Sequence, residues 1–269
     1  MSPLPQVPPT GTERPATTAA RNGHGAPRGT LFDGLSVVVP VHNEAGNIEP
    51  LVSEIEASLA GVPHEIVYVD DASTDGSREE LLRCAAAHEA LRVLVNERQA
   101  GQSTSVLNGV GSARYDWVAM LDGDGQNDPA DIMRLVDALQ RDPGARMAIG
   151  HRQKRRDSWL RRRASGIAKA ARRRRRGDEV PDSGCGLKVL RRDDYLSLPY
   201  FDHMHRFLPT LVQQSRGRVL SVPVNHRPRA HGRSKYGILD RALVGIVDLL
   251  GVAWLGQRNR RTPWRELDR

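Results

Sequence analysis

From residue 33 onward the chain alternates short β-branched runs with stretches of helical apolar spacing. Leu35–Val39 (LSVVV), Glu65–Val69 (EIVYV), Arg92–Val95, Trp117–Leu121 (WVAML) and Met147–Gly150 read as strands, because each is a brief apolar run bounded by polar or turn-forming residues. Ile48, Leu51, Val52, Ile55 and Leu59 recur at helical spacing over Glu49–Leu59. A second helix opens near Asp75, with Leu81 and Leu82 apolar, and further helices are predicted over Gln102–Ala113 and Asp131–Gln140. Alternation at this pitch predicts an α/β fold: crossover units forming a mostly parallel sheet with helices on both faces. Ligands of such sheets sit beyond the carboxyl ends of the strands. Polar clusters fall there: His42-Asn43-Glu44 after the first strand, Asp70-Asp71 at the end of the second, Asp122-Gly123-Asp124 at the end of the fourth. Turn-forming and capping roles could account for any one of them. Three on one rim predict a binding site.

The third cluster carries the most chemistry. In LDGDGQND (Leu121–Asp128), two carboxylates stand two residues apart directly after an apolar strand. On an extended backbone, alternation would point Asp122 and Asp124 to the same side. Gly123 and Gly125 would let the backbone come close to a metal or phosphate. Mg²⁺ and Mn²⁺ prefer hard oxygen ligands and commonly take one or two carboxylates, leaving the other positions to water and substrate phosphates. No His/Cys spacing of the zinc type is present. The dyad therefore predicts a Mg²⁺ or Mn²⁺ site serving a diphosphate.

Charge is unevenly distributed. The 269 residues carry a net charge of +8, yet His151–Gly177 holds thirteen Lys+Arg and one acid, Asp157, about +12, which leaves the remainder near −4. A basic segment attached to a mildly acidic body predicts a local anionic partner. Trp159, Leu160 and Ile167 within Arg152–Glu179 suggest a helix there, better suited to an anionic membrane surface than to a solvated face. Nucleic acid is disfavoured, since no finger, homeodomain or RNA-recognition signature accompanies the charge. Residues 1–30, rich in Pro, Thr, Gly and Ala, read as a disordered tail. Ile238–Leu255 reads as a helix interrupted by Asp240, Arg241 and Asp248, with Arg258, Arg260, Arg261 and Arg265 beyond it. Those charges argue against a span and leave open an interfacial helix or one packed on the core. No uncharged run reaches 18 residues, the N-terminus lacks a secretory apolar core, and two cysteines cannot make a disulfide scaffold. These features predict a cytoplasmic protein, peripheral on the cytoplasmic face of the plasma membrane.

VVVPVHNE (Val37–Glu44), VDDASTDGS (Val69–Ser77) and LDGDGQ together resemble the nucleotide-sugar-binding half of family 2 glycosyltransferases. DSGCGLKV (Asp182–Val189), HMHRFLP (His203–Pro209) and RAHGRSKYG (Arg229–Gly237) resemble the dolichol-phosphate mannosyltransferase, or polyprenyl-phosphate glycosyltransferase, branch. The resemblance covers about residues 33–258. It implies a single Rossmann-like A-type domain, with the catalytic domain over 33–235 and an amphipathic helix and basic tail over 236–269. It also implies metal-dependent transfer of a sugar from a nucleotide-diphosphate donor, GDP-mannose or a UDP-sugar, to a polyprenyl phosphate. By motif, Pro40, Asn43, Glu44, Asp71 and Asp122 would hold the nucleotide-sugar, and Asp122, Asp124 and Gln126 would surround the metal. Arg152, Arg229, Ser234 and Lys235 would hold donor or acceptor phosphates, with Asp122, Asp124, Arg229 and Lys235 the catalytic set. One element departs from the branch: where relatives often carry an S-R-x-x-N-like pattern, this chain reads Ser165-Gly166-Ile167-Ala168-Lys169.

A phosphate monoester is largely dianionic at neutral pH, with a second pKa of about 6. It needs less from a general base than a hydroxyl does, so a single inverting displacement is expected. Transfer to a saccharide or lipid hydroxyl is the rival within enzymes, although Gln213 to Arg216 is followed by Gly217 where processive synthases carry Trp. A non-catalytic basic adaptor is the rival outside them. Cys185 reads as a small buried residue of a tight turn, and Asp182 as a turn residue that could face the site. His203 and His205 read as acceptor-site or structural residues.

Overall fold

Seven strands form one sheet in the order β3-β2-β1-β4-β6-β5-β7. They are β1 (Leu35–Val41), β2 (His64–Asp70), β3 (Leu91–Val95), β4 (Trp117–Met120), β5 (Ala145–Arg152), β6 (Lys188–Arg191) and β7 (Arg218–Val224). The computed structural model describes residues 32–152, 182–228 and 238–258. Neighbours β1–β2, β2–β3, β1–β4 and β5–β7 pair in parallel, whereas β6 runs antiparallel between β4 and β5. Helices cover both faces, so the inner strands lose the alternation of a half-exposed sheet. Leu35, Val37, Val38 and Val39 of β1 are all fully buried.

The predicted elements of the first half are present within two or three residues of their expected ends: α1 (Ile48–Ser58), α2 (Ser77–Ala87), α3 (Gln102–Ser112) and α4 (Ile132–Arg141). In α4, Ile132, Leu135, Val136 and Leu139 are buried at i, i+3, i+4 and i+7 while Arg134 faces solvent, the one-sided pattern that docks a helix on a sheet. The second half adds α5 (Arg192–Leu196), α6 (Leu208–Gln214) and α7 (Ile238–Arg258). Along α7, Val252 is buried and its carbonyl accepts a bond from Gln214 Nε2 (3.0 Å). Asp248 pairs with His203 (3.1 Å), while Val247, Leu250 and Trp254 remain exposed. Among the described residues no helix is long and apolar enough to cross a membrane. The helix expected within Arg152–Glu179 lies outside the described residues, apart from Arg152 itself.

Topology assembles the rim. Because β2, β1 and β4 are adjacent, the clusters that end them become neighbours, although up to eighty residues separate them in the chain. The antiparallel β6 begins at the same rim where β4 ends, with Lys188 opposite Met120. β5 and β7 also end there, bringing Arg152 and Asn225–Arg227 to the site.

Candidate active site

At the end of β1, Asn43 takes a left-handed conformation (φ 56°), as does Ala72 (φ 53°) just after β2. Non-glycine residues rarely adopt it unless their surroundings hold them. Here the two turns hold each other. Asn43 N–H donates to Ser73 Oγ (3.0 Å), Thr74 N–H donates to Asn43 Oδ1 (2.7 Å), and Glu44 N–H donates to Ser77 Oγ (2.8 Å). Glu44 Oε2 accepts from Asn47 (2.9 Å), and Pro40 lies half-buried near the end of β1.

Asp71 is buried, and its carboxylate accepts from Asn96 Nδ2 (2.7 Å) and from the backbone N–H groups of Ala100 (2.8 Å) and Gly101 (2.8 Å). It shapes the loop that enters α3. Gln102, the first residue of α3, donates to Asp122 Oδ1 (2.8 Å). One carboxylate thus sets the loop whose next side chain orients another.

Asp122 follows β4 closely, while Gly123 and Asp124 form a turn, so the strict alternation expected of an extended backbone does not run through both carboxylates. They nevertheless share one electrostatic environment. Burial raises the pKa of Asp122; Asp124 raises it further, and Lys188, Gln102 and Asn127 oppose the rise. The two glycines serve the turn in different ways. Gly125 adopts φ 71°, and a β-carbon at Gly123 would lie 2.4 Å from Val41 Cγ1. Gly123 is therefore required by close packing on β1. Gln126 N–H donates to Asp124 Oδ1 (3.1 Å), and its side-chain amide donates to the Arg227 carbonyl (3.4 Å).

A buried carboxylate whose pKa is raised by burial and by a neighbouring carboxylate forms a site that a cation stabilises. Among the described residues no group of three or more His, Cys, Asp and Glu could hold a metal. A two-carboxylate set with a nearby amide suits an ion that keeps water and phosphate ligands, as Mg²⁺ and Mn²⁺ do. Asp122, Asp124 and Gln126 fit that description.

Arg152, at the end of β5, is not waiting open for a phosphate. Its Nε and Nη2 grip Asp182 Oδ2 (2.6 Å) and Oδ1 (2.8 Å), and Asp182 holds its guanidinium firmly charged. A phosphate would have to share or displace that carboxylate. Arg229, Ser234 and Lys235 lie outside the described residues.

Several residues of the site went unrecognised in the sequence. Gln102 and Arg227 carry no motif of their own. Arg227 pairs with Asp128 (2.8 Å) and Glu54 (2.6 Å), pinning the end of β7 over the dyad turn. His226 bridges to Asn127, and burial and Arg152 lower its pKa against the pull of Asp124. Its sole signal was its place three residues before Arg229. Lys188, 6% exposed, donates to the Cys185 carbonyl (2.6 Å). Cys185 is buried in its turn as expected, and burial raises its thiol pKa. Of the histidines, His205 bonds Ser103 Oγ (2.8 Å) and is pushed down to about 3 by burial and then by Lys188, so it is neutral at physiological pH. His203 holds α7 through Asp248.

A mostly parallel α/β sheet with a carboxylate pair and loops gathered beyond its strand ends has the architecture in which ligands bind at the carboxyl ends of the strands. The chain belongs to glycosyl transferase family 2, whose family model matches residues 36–197. It is 36% identical over 224 residues to dodecaprenyl-phosphate galacturonate synthase of Rhizobium johnstonii, covering 81% of this chain and 66% of that protein. It is 37% identical over 209 residues to undecaprenyl-phosphate 4-deoxy-4-formamido-L-arabinose transferase of Edwardsiella ictaluri, covering 76% and 63%. The chain thus spans somewhat less than two thirds of these curated relatives. Among solved structures, a Pyrobaculum calidifontis mannosyltransferase in complex with GDP-Man and Mn²⁺ superposes with a TM-score of 0.63 at 20% identity, over 88% of this chain and 68% of that one. Glucosyl-3-phosphoglycerate synthase of Mycobacterium tuberculosis, in complex with Mn²⁺, UDP-glucose and phosphoglyceric acid, gives 0.64 at 19% identity, over 83% and 79%. At those identities the likeness is one of fold.

Proposed function

We propose that this protein transfers a sugar from a nucleotide-diphosphate donor to a polyprenyl phosphate, with inversion at the anomeric carbon and with Mg²⁺ or Mn²⁺ at Asp122 and Asp124. The observation that carries the reading is Asp122 on the rim of a family 2 sheet with Asp124 beside it raising its pKa, in a chain whose sequence relatives include proteins named for polyprenyl-phosphate sugar transfer. In this reading, Asn43 and the Ser73–Thr74 turn cradle the nucleoside, and the Asp71-bound loop sets its depth. A divalent ion at Asp122, Asp124 and Gln126 would supply neutralisation of the donor diphosphate. The acceptor phosphate oxygen attacks the anomeric carbon as the bond to the departing diphosphate breaks, so the nucleophile needs no proton removed. Arg152 and the motif residues Arg229, Ser234 and Lys235 offset the repulsion between two anions brought together, a task suited to guanidinium groups. Peripheral attachment to the cytoplasmic face of the plasma membrane, through the basic segment and the exposed face of α7, belongs to the same proposal.

The test is a donor screen with purified protein, Mn²⁺ or Mg²⁺ and undecaprenyl phosphate, following nucleotide diphosphate release with Asp124→Ala as blank. Lipid-dependent release from one donor supports the reading. Release that ignores the lipid would move the acceptor elsewhere, and a product retaining the donor's anomeric configuration would exclude a single displacement.

A further inference from the structure

Lys188 is a buried lysine at the rim end of β6 whose pKa burial lowers and Asp122 raises, and neither the fold nor the motif reading gives it a role. It opens β6 between β4 and β5, opposite Met120 on one side and Ile149 on the other. Its ammonium meets the Cys185 carbonyl at 2.6 Å, the single hydrogen bond it makes among the described residues. A buried ammonium is costly unless something nearby uses its charge. The neighbouring geometry identifies the user. A β-carbon at Gly186 would lie 2.2 Å from Asp122 Oδ2, so the Asp122 carboxylate rests directly on the α-carbon of Gly186. The short Cys185-Gly186 turn therefore has the Lys188 ammonium on its carbonyl and the Asp122 carboxylate over its next residue. Beyond them lie Asp182 and Arg152, already joined as a pair, and His205, which is neutral.

We propose that Lys188 is a charge-setting, positioning residue of this site: a fixed cation beneath Asp122 that weakens binding of a bare divalent ion and strengthens binding of the ion's complex with a nucleoside diphosphate. The inference rests on the reading of Asp122 and Asp124 as a metal and diphosphate site. Its physical basis is sign. A free divalent ion is positive and is repelled by Lys188, whereas its complex with a nucleoside diphosphate is net negative and is attracted. In a partly desolvated site such a charge acts over several ångströms. The consequence is a site that holds the ion weakly by itself and holds it more firmly together with the departing nucleoside diphosphate, whose charge grows as the sugar leaves.

The test uses the full chain and two variants. Lys188→Met removes charge and donor at similar size, and its far-ultraviolet spectrum and melting temperature establish that it is folded before binding is measured. Lys188→Gln removes the charge but keeps a donor for the Cys185 carbonyl. Calorimetry or Mn²⁺ electron paramagnetic resonance gives the affinity for Mn²⁺ alone. Titration with UDP, and separately GDP, at saturating Mn²⁺ gives the affinity for the nucleotide. In both variants Mn²⁺ alone is expected to bind tighter and the nucleoside diphosphate weaker, each by on the order of tenfold. A loss of both affinities together, or wild-type behaviour restored by Lys188→Gln, would overturn the proposal while leaving the reading of Asp122 and Asp124 standing, since wild type would still bind Mn²⁺ and nucleotide. Wild type that binds neither Mn²⁺ nor either nucleotide would bring down the underlying reading, and this inference with it.

Discussion

Gly186 has no side chain, and Asp122 needs it to have none: a β-carbon there would sit 2.2 Å from the carboxylate oxygen. Gly186→Ala is expected to swing Asp122 aside and weaken Mn²⁺ binding roughly 10–100-fold, the range seen when support behind a metal ligand is lost, with the far-ultraviolet spectrum unchanged. His205 makes a different prediction. Its pKa falls from the ordinary 6.5 to about 3 on folding. Between those values the unfolded chain binds a proton that the folded one refuses, so stability is lost as pH falls through that window. The slope reaches up to ~1.4 kcal/mol per pH unit. His205→Gln should flatten that part of the melting-temperature profile between pH 6 and 4, and equal slopes for both proteins would contradict the assignment. At this scale the sequence revealed Asp122 and Asp124, because carboxylates after an apolar strand stand out. It hid Gln102, Lys188 and His226, whose roles come from what folds against them.

Among elements, the loop between β3 and α3 depends on one side chain. Asp71 accepts three N–H bonds from Asn96, Ala100 and Gly101, and a buried donor stranded without its acceptor costs about 1–3 kcal/mol. Asp71→Ala should lower the unfolding free energy by about 3 kcal/mol in urea titration and weaken nucleotide binding through the displaced loop. Weakened binding without any loss of stability would instead mean a direct contact. The strand β6 shows why the second half was harder to read. Lys188-Val189-Leu190-Arg191 has charges at both ends and no alternation, and it is a strand because β4 and β5 flank it. Short strands of this kind follow their neighbours more than their own propensity. The helices α1 and α4 were legible for the opposite reason: each buries one apolar stripe, Ile48, Leu51, Val52 and Ile55 in the first and Ile132, Leu135, Val136 and Leu139 in the other.

Across the whole molecule, the excess of thirteen Lys+Arg over one acid between His151 and Gly177, against a net charge of +8 for the chain, should govern association with membranes. Binding to vesicles containing anionic phospholipid is expected to exceed binding to neutral vesicles and to fall with salt. Substituting Gln for Arg172 through Arg176 should weaken it, at about 1 kcal/mol for each charge engaged. Binding insensitive to both salt and substitution would point to the apolar face of α7, where Val247, Leu250 and Trp254 are exposed.

Hydrophobic periodicity alone determined the α/β class, the first five strands and the rim on which the acidic clusters lie, because buried parallel strands and amphipathic helices leave local, repeating signatures. The family resemblance followed from the motifs that end those strands. What surrounds the carboxylates was decided by tertiary structure: strand order brings residues 42, 71, 122, 152 and 188 to one edge. It also turns Asp71 toward a loop, binds Arg152 to Asp182 and sets the Lys188 ammonium on the Cys185 carbonyl, next to the glycine that Asp122 packs against. Those pairings join positions far apart in the chain, and no local pattern records them; they exist only where burial makes an unpaired polar group too costly to leave alone.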